Sequence, residues 1–238
     1  MHSMLFWLAL PFLIPQALWV RRTAPRFAGA GGPIRGSTGN GSERTLVAIG
    51  DSIIAGVGAS HLSKALVGQA ALALSHGLSC KIRWTAHGYI GANSSKLLNN
   101  FMPGLGAIKA DIIITSIGIN DVTSLTTLPR WRRNLEILLR LFSDQNDAAV
   151  IAFAGFPPLG SFPLLPEPLR SILGVRAIEF DRAAQQVIAR FPRAIHVPVE
   201  FATTHDKFAP DGYHPSEIGY ATFGESMAQK IVEQLASR

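Results

Sequence analysis

The stretch LVAIGDS, residues 46–52, decides the fold of this chain. Four apolar residues run into a glycine, an acid and a serine, which is typical of a buried strand that ends in a loop carrying polar groups. Similar apolar runs, separated by longer helical patterns, predict strands at 46–50, 82–86, 111–117, 149–154 and 194–197. This alternation predicts an α/β fold, a three-layer α/β/α sandwich around a central parallel sheet of about five strands.

The predicted helices lie between the strands, and polar residues that follow the strands lie at one edge of the sheet. Helical patterns cover 63–76, 94–101, 128–142 and 169–191, and a last helix follows residue 215. Ligands of an open α/β sheet bind beyond the carboxyl ends of its strands. Ser52, Gly91 and Asn120 follow the first, second and third predicted strands, and Asp211 and His214 follow the fifth. We therefore expect these five residues to converge.

The length and composition exclude several classes of protein. The 238 residues suffice for one full-size domain, and 47% of them are hydrophobic while 16% are charged. The net charge of +6 could suggest a nucleic-acid partner, but the arginines are scattered and not gathered beside exposed aromatic residues. We therefore expect no nucleic-acid binding. The lone Cys80 excludes an intrachain disulfide and a site with several cysteine ligands.

The N-terminal segment is uncharged and mostly apolar over residues 4–20, and Arg21 and Arg22 follow it at once. Pro11 and Pro15 would kink or shorten a helix there. We expect residues 1–22 to be an uncleaved membrane anchor or interfacial segment, with export and cleavage as the alternative. The protein would then be associated with a membrane or the cell envelope, and the side that the domain faces stays open. The region 23–44, rich in Gly, Ser, Pro and Arg, is predicted to be a linker to a domain over 45–238.

Three of the converging residues have the chemistry of nucleophilic acyl transfer. Ser52 carries a hydroxyl that needs a base, His214 can be that base, and Asp211 can orient the imidazole. The spacing of 211–214 lets a single turn point the carboxylate and the imidazole toward the serine. The same Asp-Gly sequence also indicates a β-turn before a helix, and both interpretations can hold together.

Four blocks give the chain a resemblance to a known family. They are GDSI at 50–53, GANS at 91–94, GIND at 118–121 and DGYHP at 211–215. With them the chain resembles the GDSL, or SGNH, hydrolases, a family of esterases and lipases; only Ile53 departs from the first motif, and Gly88 competes with Gly91 for the second. The resemblance implies a flavodoxin-like SGNH domain over 45–238 that hydrolyses carboxylic esters of short- to medium-chain acyl groups or aryl esters, through an acyl-enzyme and without a cofactor.

The resemblance also assigns roles to residues. It implies that Ser52, Asp211 and His214 are the catalytic residues and that the oxyanion hole consists of the backbone N–H groups of Ser52 and Gly91 with the side chain of Asn120. A glycine at the second block suits a backbone that approaches a ligand closely. Asp51 could be a rival catalytic acid, but we expect it to cap backbone N–H groups nearby, and we expect Asp121 in the third block to be a structural partner.

Other interpretations remain beside this one. The substrate would be a small-molecule or lipid ester, but the same site could serve an acyltransferase or a deacetylase of a cell-envelope sugar. A membrane-tethered binding module without catalysis is the alternative from another class. Gly56 and Gly58 follow a strand but lack the third glycine of a dinucleotide-binding turn. The remaining histidines lack the spacing of a metal site, so we expect no metal; they are His61, His76, His87, His196 and His205.

Overall fold

The computed structural model describes residues 2–25, 27–199 and 204–237, and for residues 2–5 and 205 it describes the backbone. Its strands follow the predicted apolar runs, with one addition at the N-terminal side. They are β1 (Arg35–Thr38), β2 (Glu43–Gly50), β3 (Lys81–Gly88), β4 (Ile112–Ser116), β5 (Val150–Ala154) and β6 (Ala194–Val197). The predicted α/β/α architecture is confirmed.

The helices also follow the predicted pattern, with one exception. They are α1 (His2–Thr23), α2 (Leu66–Gly77), α3 (Ser94–Lys96), α4 (Met102–Leu105), α5 (Ile119–Val122), α6 (Leu128–Gln145), α7 (Leu169–Ile188) and α8 (Glu217–Ala236). The helix predicted over 94–101 is divided into α3, a π-helical turn over Leu97–Phe101, and α4. Pro103, which has no N–H to donate, stands in the first turn of α4.

The sheet has the order β1-β3-β2-β4-β5-β6 over the described residues, and its strands run parallel from β3 to β6. Every residue of β4 and β5 is buried, which explains their continuous apolar sequence. Helices α2 and α8 pack together, as do α6 and α7. Because the strand order reverses between β2 and β4, their carboxyl ends open a crevice at that point. Ser52 and Asn120 follow these two strands.

Part of the predicted linker forms the edge of the sheet. Within 23–44 the structure places β1, which pairs antiparallel with β3 from Arg35 opposite Thr85 to Thr38 opposite Ile82. A Cβ on Gly36 would lie 2.5 Å from the ring of Trp84, so only a glycine lets β1 lie against that ring. The backbone groups of β1 pair with the open edge of β3, and this pairing does not require apolar side chains. The sheet is therefore mixed and not purely parallel.

Helix α1 packs against the domain through one face. Phe6 and Leu13 are buried in the common hydrophobic core. The Gln16 side chain donates to the Glu167 carbonyl at 2.7 Å and accepts from the Leu169 N–H at 3.2 Å, so it holds α1 at the start of α7. None of the helices within the described residues combines the length and apolar character needed to cross a bilayer. The membrane-anchor interpretation stays a prediction.

Candidate active site

Ser52 lies in a tight turn directly after β2. The Asp51 N–H donates to the Ser116 carbonyl of β4 at 2.9 Å, and the Ser52 carbonyl accepts from the Val57 N–H at 3.0 Å. These bonds hold the serine at the crevice between the two strands. Its Oγ lies 2.9 Å from Nε2 of His214, across a sequence separation of 162 residues. The structure therefore brings the predicted nucleophile and base together.

The Asp211–His214 segment is a closed loop before α8. The Gly212 N–H donates to the Ala209 carbonyl, and the Ala209 N–H donates to the His214 carbonyl. Asp211 Oδ2 lies 2.6 Å from His214 Nδ1, and its Oδ1 accepts the N–H groups of Tyr213 and His214, each at 2.9 Å. The turn and the side-chain pair occur together, as the sequence suggested. One carboxylate thus fixes both the loop and the imidazole.

The electrostatic surroundings keep the Asp211 carboxylate ionised. Burial by itself would raise the pKa of Asp211, whose side chain is almost fully enclosed. The hydrogen bonds from the His214 ring and from two backbone N–H groups outweigh burial and hold this pKa below its usual range. An ionised Asp211 keeps a proton on His214 Nδ1, so Nε2 is left as the acceptor that faces Ser52.

Asn120 lies in the first turn of α5, and Gly91 lies in the turn after β3. The Asn120 Nδ2 donates to the Ala92 carbonyl at 2.8 Å, which ties α5 to the segment after Gly91. Asn120 lines the cavity beside Ser52, whereas Gly91 is not among the described residues that line it. The N–H groups of Ser52 and Gly91 find no acceptor among the described residues.

Gly91 and Gly88 are constrained in different ways. Gly91 has a φ of +73°, which favours glycine, and a Cβ there would meet no protein atom within 4 Å, so its close approach to a ligand stays a prediction. A close approach within the protein occurs at Gly88, where a Cβ would lie 2.0 Å from the Ala55 nitrogen. The two glycines thus serve the same turn for different physical reasons.

Asp121 is a buried structural partner, as predicted. Its carboxylate accepts from the Ser94 N–H and the Ser94 hydroxyl, each at 2.7 Å. The Asn134 amide of α6 donates to the hydroxyls of Ser94 and Ser95 and completes the cluster. Burial raises the pKa of Asp121, and the bonds from Ser94 oppose that rise. No local pattern points to Asn134, because its role depends on how α6 packs against α3.

Asp51 is enclosed beside the nucleophile. Only 2% of the residue is exposed, and its Oδ1 accepts the Ile53 N–H at 3.1 Å, the capping contact that the sequence predicted. Burial raises the pKa of Asp51 to about 7, against the opposing effects of the Ile53 bond and the charge of His214. The imidazole of His214 contacts Asp211 and not Asp51, which agrees with a structural role for Asp51.

A small, mostly apolar cavity of about 40 Å³ opens beside Ser52. Aromatic side chains form its walls, and the Pro-rich segment after β5 supplies part of them, as the sequence indicated. The residues that line it are Asp51, Ser52, Ile53, Ser116, Ile117, Ile119, Asn120, Ala154, Gly155, Phe156, Pro157, Phe162, Val199, Tyr213, His214 and Phe223. The Phe162 ring meets the Tyr213 ring edge-on at 5.3 Å, so the wall is coupled to the loop that carries His214.

A second histidine–carboxylate pair contacts the backbone of Phe156, which belongs to this wall. His196 Nε2 lies 2.7 Å from Asp181 Oδ1, and the same oxygen accepts the Phe156 N–H at 2.9 Å. The sequence around His196 is that of an ordinary residue, and the spacing of the histidines does not indicate this contact. The side chain of His205 lies outside the described residues. In the described part of the chain, no three His, Cys, Asp or Glu residues are grouped to hold a metal ion.

Comparison with known proteins identifies the family. The model of the GDSL-like lipase/acylhydrolase family matches residues 48–222, which is well over half of the chain and includes all four blocks. The chain belongs to this family. It is therefore a GDSL hydrolase, and the resemblance that the four blocks carried is confirmed. No curated protein has a sequence that matches the chain.

Solved structures share the fold of this GDSL hydrolase. A carbohydrate esterase family 2 enzyme from Corynascus thermopiles (Myceliophthora fergusii) is similar with a TM-score of 0.62 and 16% identity, over 81% of this chain and 67% of its own. A lipase/acylhydrolase from Enterococcus faecalis has a TM-score of 0.56 and 19% identity, over 80% and 96%. An acetylxylan esterase from Geobacillus stearothermophilus has a TM-score of 0.56 and 19% identity, over 81% and 95%.

Proposed function

We propose that this GDSL hydrolase is a serine esterase that cleaves carboxylic esters through an acyl-enzyme intermediate. The observation that carries the proposal is the continuous contact from Asp211 through His214 to Ser52, with distances of 2.6 Å and 2.9 Å. These lengths are within hydrogen-bond reach for proton transfer without any rearrangement of the loop. This arrangement supports Ser52 as the nucleophile, His214 as the base and Asp211 as the group that orients the base.

The first half-reaction transfers the acyl group to the enzyme. The Ser52 Oγ forms a bond to the ester carbonyl carbon while its proton moves to Nε2 of His214. The negative charge collects on the former carbonyl oxygen. The intermediate then breaks the bond to the alcohol oxygen, which leaves with the proton from His214. Asp211 stabilises the imidazolium formed between these steps, since its carboxylate remains charged beside Nδ1.

Water completes the cycle. A water molecule attacks the acyl carbon, His214 takes its proton, and the bond to Ser52 Oγ breaks as that oxygen regains a proton. In both halves the oxyanion would be stabilised by the N–H groups of Ser52 and Gly91 and by the Asn120 amide. Neither N–H group has an acceptor within the described part of the chain, which supports this role. One N–H of the Asn120 amide donates to the Ala92 carbonyl, and the second N–H can donate to the oxyanion.

The small cavity supports a short acyl group. Its volume of about 40 Å³ suits an acetyl or similarly short chain, and the apolar walls from Phe156 and Phe162 suit the methyl end. This favours the short end of the chain-length range that the sequence left open. It also favours, as a second candidate, an acetyl ester carried by a sugar, since a carbohydrate esterase and an acetylxylan esterase are among the structures that share the fold.

An ester panel tests the proposal. Chromogenic esters from acetyl to octanoyl should be hydrolysed by the wild type with kcat/KM highest at the acetyl end. Ser52→Ala should lower kcat by at least about 10⁴-fold, while Ser63→Ala, at an exposed serine eleven residues away, should match the wild type. A serine-directed phosphonate should label Ser52. No hydrolysis of any ester by the wild type would favour a binding module, and activity retained in Ser52→Ala would place the nucleophile elsewhere.

A further inference from the structure

Helix α1 has two apolar faces, and the domain covers only one of them. Phe6 and Leu13 lie on the covered face, buried in the core. The opposite face, at 100° per residue, is apolar and open to solvent. Its large exposed side chains are Trp7, Leu8, Phe12, Ile14, Leu18 and Trp19. A helix on the surface of a domain ordinarily presents polar residues there, so this face calls for an apolar partner.

The covered face fixes which way the open face points. The guanidinium of Arg176 lies 3.9 Å from the centre of the Phe6 ring and donates to the carbonyls of Val122 and Thr126. Gln16 bonds the start of α7 nearly three turns further along α1. These contacts hold α1 along the side of the domain. The open face is therefore directed outward over most of the length of the helix.

Charge and aromatic placement indicate what covers the open face. Arg21 and Arg22 are exposed at the C-terminal end of α1, and the chain carries a net charge of +6. Trp7 and Trp19 stand toward the two ends of the apolar face, and tryptophan favours the boundary between lipid and water. An apolar face with basic residues at its border is complementary to a surface of anionic lipid.

We propose that the open face of α1 is a docking surface for an anionic phospholipid bilayer. The helix lies in the plane of the membrane interface, with Leu8, Phe12 and Trp19 in the acyl boundary and Arg21 and Arg22 at the headgroups. The domain stays outside the bilayer on the side of Phe6 and Leu13. This docking does not depend on the proposed hydrolysis, so its test uses binding as the readout.

Vesicle binding by the full chain tests the apolar face. The wild type should sediment with vesicles of phosphatidylcholine and phosphatidylglycerol. Leu8→Glu/Phe12→Glu should bind them at least about 100-fold more weakly, because two apolar side chains leave the acyl boundary. The matched control is Leu72→Glu/Ile137→Glu, which changes exposed apolar residues on α2 and α6 and should bind as the wild type does. Equal binding by both double variants would overturn the proposal.

The charges and the tryptophans supply independent readouts. Arg21→Gln/Arg22→Gln should weaken binding to anionic vesicles by about 30-fold and leave binding to pure phosphatidylcholine unchanged. Brominated lipids should quench tryptophan fluorescence in the wild type. Trp19→Phe should remove a larger share of the quenching than Trp7→Phe, because Trp19 is the more exposed of the two and Trp7 packs against the buried Phe6.

Three results would overturn the docking proposal. They are the absence of vesicle binding by the wild type, undiminished quenching in Trp19→Phe, and a dimer that does not bind vesicles and that Leu8→Glu/Phe12→Glu dissociates. The last result would assign the face to a second copy of the chain.

Discussion

The buried carboxyl of Asp51 makes the stability of the protein depend on pH in a definite direction. Burial raises its pKa from 3.8 to about 7. A group whose pKa is raised by folding stabilises the folded state below its unfolded pKa, and this contribution is lost as the pH rises through the folded pKa. The loss therefore runs from about pH 4 to pH 7. It amounts to about 4 kcal/mol of unfolding free energy, since each pKa unit is worth about 1.4 kcal/mol.

Replacing Asp51 with Asn removes this ionisation while keeping an oxygen for the Ile53 N–H. We expect Asp51→Asn to match the wild type in unfolding free energy near pH 4 and to exceed it by about 4 kcal/mol at pH 8. Urea unfolding followed by circular dichroism from pH 4 to pH 8 measures the difference.

Asp211→Asn is the matched control for this experiment, because the pKa of Asp211 is lowered by folding. Its contribution to stability is present above the unfolded pKa and is lost as the pH falls, so this variant should be the less stable one at pH 8. The reasoning would be refuted if Asp51→Asn had the same unfolding free energy as the wild type at pH 8, or exceeded it by the same amount at every pH.

Three further predictions concern turnover and packing. Asp211→Asn should lower kcat on a short-chain ester by about 10⁴-fold with a much smaller change in KM, measured by initial rates, and a mild effect would mean that another group orients the base. Gly50→Ala should destabilise the protein by about 3 kcal/mol in urea unfolding, because its Cβ would lie 2.0 Å from the Ser116 carbonyl oxygen; an unchanged midpoint would contradict this contact. Removing residues 1–40 should lower the melting temperature below that of a chain lacking 1–24, because only the longer deletion takes away β1; equal melting temperatures would show that the edge pairing adds nothing.

Much of the fold and the site could be predicted from local pattern. The apolar runs give β2 to β6, and those of β4 and β5 are continuous because every residue of these two strands is buried. The polar blocks follow the carboxyl ends of these strands, and parallel strands bring those ends to one edge. Ser52 and His214 could therefore be predicted to meet although 162 residues separate them. The Asp-Gly-Tyr-His turn brings the carboxylate and the imidazole together through hydrogen bonds within the turn, so local sequence was enough to predict it.

Features that depend on contacts between distant segments of the chain were decided by the tertiary structure alone. Strand β1 lies in a segment without an apolar pattern, because the free edge of β3 supplies its hydrogen-bond partners. The backbone of Gly88 lies against the loop of Ala55, a contact between distant segments that the sequence did not indicate. Asn134 joins the cluster around Asp121 only through the packing of α6. Phe6 and Leu13 pack on α7, so the apolar N-terminal segment, which the sequence showed as uniform, has one covered face and one open face.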